Sequence, residues 1–223
     1  MNYTLIHGDC IAEMKKMQEN SVDFTLTDIP YDGVNRKSNG LRNLDKEKAD
    51  ILTFDLSAFL PEILRVTKNN ICIFCGGGQL SEIYKFFLQQ NGTVRPIVWQ
   101  KTNPSPMNGQ FVYLSGVEFA VWFKKATSNV FNAHCKNTVF KFPCGSSEIH
   151  PTEKNHALLK DLILDNTNNF DTVFDCCMGS GSTGIVAKQL NRNFVGIELD
   201  EKYFTIAEKR INNIKFRFLT KNT

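Results

Sequence analysis

Short apolar runs and longer segments with helical spacing alternate along the whole sequence. Residues 3–6, 22–27, 71–74, 94–100, 117–123, 172–174 and 194–197 read as strands, and 138–142 as a shorter one. Between them, residues 11–17, 56–67, 80–88, 157–164, the stretch from Ser182 onward and 203–214 carry apolar positions at helical period. Leu56, Phe59, Leu60, Ile63 and Leu64 mark one such face, and Pro61 within it allows a helix start there, since proline suits a first turn. Asp9 is placed to cap the first helix, and Asn155 or Thr152 the helix at 157–164. This alternation predicts an α/β fold: a doubly wound, mostly parallel sheet with helices on both faces. No internal repeat or low-complexity segment interrupts it, so residues 1–223 read as one domain.

Composition changes the picture little. The chain is 42% hydrophobic and 22% charged, ordinary for a globular protein. A formal charge of +3 permits a polyanionic partner without demanding one. The seven cysteines are odd in number and several lie in apolar runs, which points to reduced thiols rather than a disulfide framework. Cys72 and Cys75 form a C-x-x-C, but residues three apart in a strand face opposite ways and chelate one metal poorly, so no metal is expected. No apolar run reaches membrane-spanning length and the first residues do not resemble a signal peptide, so a cytoplasmic protein without a membrane partner is expected.

The densest candidate chemistry lies near residue 180. The run Thr172-Val173-Phe174 stops at Asp175, a turn carrying Gly179, Gly181 and Gly184 follows, and a helix begins near Ser182. The next strand ends in acid at Glu198 and Asp200. Strand, tight turn, helix, strand and carboxylate together are the pattern of a nucleotide-type cofactor site. Glycines allow the sharp turn and a close ligand approach, the helix start offers free N–H groups, and the carboxylate can accept from ribose hydroxyls. The glycine spacing also fits the dinucleotide fingerprint, so on this loop alone a nicotinamide cofactor stays open.

A second polar cluster leaves another strand end: Thr27-Asp28-Ile29-Pro30-Tyr31, an acid, a stiffened turn and an aromatic ring. In open α/β sheets ligands bind at such ends. Residues 32–54 follow without regular pattern and carry Arg36, Lys37, Arg42, Lys46 and Lys48, which reads as a mobile, basic, substrate-facing loop. Residues 101–109 are too rich in Pro, Asn and Gly for regular structure.

Three motifs thus occur in one order: Asp28-Ile29-Pro30-Tyr31, then His150-Pro151-Thr152-Glu153-Lys154, then Met178-Gly179-Ser180-Gly181-Ser182-Thr183-Gly184 with Val195-Gly196-Ile197-Glu198. Together they resemble the β-class amino-methyltransferases of DNA, over nearly the whole chain. The resemblance implies a Rossmann-like, seven-stranded methyltransferase fold and S-adenosylmethionine as cofactor. It implies that Asp175, Met178, Gly179, Gly181 and Ser182 line the cofactor, that Glu198 binds its ribose, that Asp9 and Cys10 meet its adenine, and that Thr152 and Lys154 lie near its carboxylate. Asp28 and the Ile29 carbonyl would accept the two hydrogens of the target amine, with Pro30 completing the motif and Tyr31 stacking on a base flipped from duplex DNA. An acid at the first motif position implies adenine N6, since the cytosine-N4 enzymes mostly carry serine there.

The family usually has proline where Ile29 stands, and only the backbone carbonyl is required. Residues 125–149, where the family usually reads its DNA sequence, are short here. DNA contact is therefore expected from Arg36, Lys37, Arg42, Lys101 and Asn103, or from a second subunit. A homodimer and a companion restriction endonuclease stay open, as does a bacterial or phage origin with nucleoid association. Other readings also stay open: an N4-cytosine enzyme, an RNA or protein amino-methyltransferase, a non-catalytic DNA-binding relative, and a nicotinamide enzyme.

Overall fold

The computed structural model describes residues 2–31, 55–106, 109–145 and 153–214. Among them eight strands form one sheet: β1 (Tyr3–His7), β2 (Val22–Asp28), β3 (Thr67–Cys75), β4 (Gly92–Lys101), β5 (Val117–Lys125), β6 (Val139–Phe142), β7 (Thr172–Asp175) and β8 (Asn193–Glu198). The helices are α1 (Cys10–Lys16), α2 (Leu56–Val66), α3 (Gly77–Leu88), α4 (His156–Asn166), α5 (Ser182–Gln189) and α6 (Glu201–Asn212). The strand order is β1-β8-β7-β2-β3-β5-β4-β6. Every ladder is parallel except those that β5 makes with β3 and β4. The resemblance implies seven strands, and the eighth is the short segment read at 138–142, which adds to β4 as an edge strand.

Alternating side chains divide the core into two layers. Phe24, Leu26, Cys72 and Phe74 pack with Leu158 and Leu162 of α4, Ile185 of α5 and Ile211 of α6. Ile71, Ile73 and Cys75 pack on the other face with Met14 of α1, Phe59 and Ile63 of α2, and Ile83 and Phe87 of α3. Cys72 and Cys75 thus enter different layers, as strand geometry requires. Each fully buried aromatic such as Phe59 contributes about 1.5–3 kcal/mol through area removed from water.

α2 starts at Leu56, capped by the Asp55 side chain on the Ser57 N–H, so Pro61 lies inside the helix rather than at its start. Pro61 and Ser57 are both exposed, so water can reach the carbonyl that the missing N–H leaves unpaired. α3 begins earlier than expected, at Gly77, with Gly78 in its first turn. Asp9 caps α1 through the Ala12 N–H, and Asn155 caps α4.

The strand order reverses between the parallel neighbours β7 and β2. From β7 the chain passes through α5 to β8 on one side, and from β2 through α2 to β3 on the other. Such a reversal opens a crevice at the carboxyl ends of the two strands.

α5 runs close to the sheet because Gly184 has no side chain. A Cβ there would meet Ile211 Cδ1 at 2.5 Å and Phe194 Cε1 at 2.7 Å, and Phe194 is fully buried. Gly184→Ala is therefore expected to lower unfolding stability by ~1–3 kcal/mol through overpacking, although alanine is the better helix former. Denaturant titration checks this, and a stabilised variant would show that α5 can move off the sheet.

Candidate active site

On the β7 side of the crevice the turn after Asp175 uses two left-handed residues, Gly179 at φ 51° and Gly181 at φ 84°, and Gly181 is the cap of α5. Glu198, at the end of β8, braces this turn. Its Oε2 accepts the Gly179 N–H at 2.8 Å and its Oε1 the Asp200 N–H at 2.9 Å. Asp175 accepts from the Thr27 hydroxyl at 2.8 Å and from the Cys177 N–H at 3.2 Å, which ties the turn to β2. Burial pushes the Asp175 carboxyl up to about 7, against the hydrogen bonds from Thr183, Thr27 and Cys177. Burial likewise raises Glu198. β1 pairs with β8 so that His7 lies opposite Glu198, which brings Asp9 and Cys10 beside the same edge.

On the β2 side, Asp28 closes the strand and Ile29 donates its N–H to the Phe74 carbonyl at 3.2 Å. The Pro30 carbonyl accepts from Gln79 Nε2 at 3.0 Å, and Gln79 Oε1 accepts the Gly76 N–H at 2.9 Å. The buried Gln79 therefore fastens the turn after β2 to the start of α3. Tyr31 packs beside Gly76, where a Cβ would lie 3.3 Å from its own.

Four charged groups of alternating sign line this side. Lys154 Nζ lies 2.6 Å from Asp28 Oδ2 and 2.8 Å from Glu118 Oε2, and donates to the Tyr31 hydroxyl at 2.9 Å. Lys101 Nζ lies 2.9 Å from Glu118 Oε1. The Tyr31 hydroxyl donates to Glu118 Oε2 at 3.1 Å. Burial opposes the Glu118 charge, but Lys154 and Lys101 outweigh it and hold the carboxyl down at about 2. Burial also opposes the Lys154 charge, and Asp28 and Glu118 outweigh it, so the lysine stays charged. For Asp28 burial wins over Lys154 and raises the carboxyl. Burial, then the Asp28 and Glu118 charges, hold Tyr31 well above the usual phenol range.

Asp28 Oδ1 is the one buried side-chain polar atom without a hydrogen-bond partner among the described residues. An orphaned carboxylate oxygen costs roughly 1–3 kcal/mol unless a ligand satisfies it.

The expected site residues fall into distinct groups. Asp175, Gly179 and Gly181 follow one another from the end of β7 through the turn, Glu198 braces that turn from β8, and Asp28 meets it across the β2–β7 junction. The Met178 side chain goes into the core, packed against Gly196. Ser182 donates to Glu153 Oε1 at 2.7 Å, an oxygen shared with Arg210 and His156. Lys154, expected beside the cofactor's carboxylate, is instead bound to Asp28, Glu118 and Tyr31.

Of the expected DNA contacts, Lys101 is paired with Glu118, and Asn103 Oδ1 accepts the Cys144 N–H at 2.6 Å. Thr152, Arg36, Lys37 and Arg42, with the rest of 32–54, lie outside the described residues. So do residues 146–149 of the expected recognition segment. Its earlier part packs on α4, with Lys136 paired to Asp161 and Asp165 at 3.1 and 2.8 Å.

Glu118 and Gln79 line the site although the sequence does not single them out, and Thr27, the head of the polar strand end, ties it to Asp175. Glu118 had a signal, a carboxylate in an otherwise apolar strand.

A family model described as DNA methylase, of the N6/N4 type, matches residues 22–209. The Type II methyltransferase M.HinfI of Haemophilus influenzae is 30% identical over 248 residues, covering 95% of this chain and 69% of that protein. M2.DpnII of Streptococcus pneumoniae is 29% identical over 238 residues, covering 93% and 88%. The crystal structure of M1.HpyAVI in complex with SAM aligns at a TM-score of 0.73 and 29% identity, covering 93% of this chain and 99% of that one. The cytosine-N4-specific PvuII DNA methyltransferase aligns at a TM-score of 0.75 and 16% identity over 96% and 89% of the two chains, a likeness of fold. With the matched region running from the start of β2 into α6, through both halves of the crevice, the chain belongs to the N6/N4 DNA methylase family.

Proposed function

We propose that this protein transfers a methyl group from S-adenosylmethionine to the exocyclic N6 amine of an adenine flipped out of duplex DNA. The observation that carries this reading is the unpaired Asp28 Oδ1 at the carboxyl end of β2, next to the glycine turn. The cofactor half fits the group. Two buried carboxylates, Asp175 and Glu198, border a turn whose glycines admit a close ligand, which suits a molecule with a cationic methionine part and ribose hydroxyls.

When bound, S-adenosylmethionine supplies an activated methyl on sulfonium, so the protein's work is positioning. Asp28 Oδ1 accepts one hydrogen of the target amine. The Ile29 carbonyl, which has no hydrogen-bond partner among the described residues, accepts the other. Together they aim the amine lone pair at the methyl. Tyr31 gives the base a stacking face, its ring fixed by the hydroxyl bonds to Glu118 and Lys154. The base must leave the helix because its amine is otherwise paired.

Adenine is favoured over cytosine by the acid at position 28. Duplex contact falls to residues 32–54 and to the uncharged connection between β4 and β5. Phe111 and Tyr113 of that connection are 78% and 102% exposed, and it rises from the same sheet edge as Asp28. The Type II relatives favour a companion restriction endonuclease that reads the same site. No helix among the described residues is long and apolar enough to cross a membrane.

Incubation with labelled cofactor and duplex DNA, followed by nucleoside mass spectrometry, is expected to yield N6-methyladenine; N4-methylcytosine would move the assignment to the other base. Asp28→Ala is expected to lower kcat by ~10²-fold or more with cofactor affinity nearly unchanged, and normal turnover would remove Asp28 from the mechanism. Glu198→Ala is expected to weaken cofactor binding by ~1–3 kcal/mol, read by calorimetric titration. Asp175 is neutral below about 7 and ionised above it. Affinity for the cationic cofactor should therefore rise with pH up to that value and then level off, whereas a flat profile would place Asp175 away from the cofactor's charge.

A further inference from the structure

Lys154 sits in the motif that the resemblance assigns to the cofactor, yet its ammonium is spent elsewhere. An ammonium has three N–H donors and no acceptor. Lys154 has three acceptors within hydrogen-bond range: Asp28 Oδ2 at 2.6 Å, Glu118 Oε2 at 2.8 Å and the Tyr31 hydroxyl at 2.9 Å. No donor is left for a cofactor carboxylate. The side chain is only 9% exposed, and the rings of Tyr31, Phe74 and Trp99 stand 5.1, 5.1 and 5.9 Å from Nζ. Glu118 is in turn fixed by Lys101 through its other oxygen. Both of these residues lie on paired strands, β4 and β5, so the anchor is part of the sheet.

Asp28 is held on one side only. Its side chain is 32% exposed, Oδ2 carries the lysine bond, and Oδ1 has no partner. A charge-assisted bond on one oxygen restricts rotation of the carboxylate and so favours one direction for the other oxygen. We propose that Lys154, anchored by Glu118, is a positioning residue for methyl transfer: it holds Asp28 by Oδ2 so that Oδ1 meets the target amine. This rests on the reading of Asp28 given above.

The groups that face Asp28 are Lys154 ahead of α4, Glu118 on β5, Tyr31 after β2, the Cys75 thiol on β3 and Asp175 on β7. Lys154 is the cation among them, and the two acids oppose the Asp28 charge. Removing Lys154 takes away the main group that counters burial and both acids, so Asp28 stays protonated to higher pH. Removing the Glu118 charge takes away a repelling anion while Lys154 remains, so Asp28 ionises at lower pH. The two substitutions must shift the acid limb of kcat in opposite directions.

The test uses the full chain with duplex DNA and S-adenosylmethionine, reading kcat against pH, KM for DNA and Kd for the cofactor. Lys154→Met is expected to lower kcat ~10²-fold, leave the cofactor Kd unchanged, and move the acid limb to higher pH. Glu118→Gln, close to isosteric, is expected to give a smaller fall in kcat, the same cofactor Kd, and an acid limb at lower pH. The role is overturned if Lys154→Met weakens cofactor binding but keeps wild-type kcat and pH profile at saturating cofactor, the behaviour of a cofactor contact. Should Lys154→Met not fold, Glu118→Gln decides alone: an unmoved limb with wild-type kcat overturns the role. Asp28→Ala separates the two levels. If it still turns over, the reading of Asp28 itself fails; if it is dead while both other variants behave as wild type, only the positioning role falls.

Discussion

Two ladder positions join β2 to β7, Phe24 opposite Val173 and Thr25 opposite Phe174. Beyond them the pairing stops and side chains continue it. The Thr172 N–H donates to Asp23 Oδ2 at 2.9 Å at one end, and the Thr27 hydroxyl to Asp175 Oδ1 at 2.8 Å at the other. Thr27 and Asp175 are 148 residues apart in the chain. This seam sets the glycine turn against the strand end that carries Asp28. A base bound at Asp28 and a cofactor bound at Gly179 can then share one crevice. Chain order is immaterial to that outcome, because a parallel sheet places every strand's carboxyl end along one edge whichever strand comes first.

Charge is arranged along the same edge. Lys101, Glu118, Lys154 and Asp28 alternate in sign, and each neighbouring pair is within 3 Å or less. Burying such groups costs several kcal/mol per ion before the pairing returns it, so the chain of ion pairs is weak evidence for stability. Its geometry explains it better as a device for orientation. Glu118 and Lys154, in the middle, each have two charged neighbours, whereas Lys101 and Asp28, at the ends, have one each, and Asp28 Oδ1 has no hydrogen-bond partner among the described residues.

Much of this was legible in the sequence where the signal was local. The strand of β7, the glycines of its turn and the acid of β8 sit within one βαβ unit, so periodicity and turn chemistry reach all of them. The strand at Val22 and its polar exit were equally local. What escaped depends on partners far away in the chain. Glu118 gains its meaning from Lys101 and Lys154, and Gln79 from Pro30; no spacing rule connects them. The motif neighbours of Lys154 point to the cofactor, whereas the three acceptors that hold it come from β2, the turn after it and β5. Pro61 misled for a different reason: a local rule about proline was overridden by the buried face of Leu56, Phe59, Leu60 and Ile63, and by an exposed carbonyl that tolerates the loss.

Ile29, the departure from the family motif, follows from the same geometry. Proline there would have no N–H, whereas Ile29 donates to the Phe74 carbonyl and extends the β2–β3 pairing by one step past Asp28. Its side chain is 1% exposed and packs in the layer with Leu60 and Ile73. The rigidity that proline would supply through its ring is thus supplied by a hydrogen bond and by packing. Pro30 still confines Ile29 to extended backbone, and Gln79 fixes the Pro30 carbonyl. Among the described residues the Ile29 carbonyl is left over as an acceptor. Isoleucine thus meets the same constraint on the turn by different means.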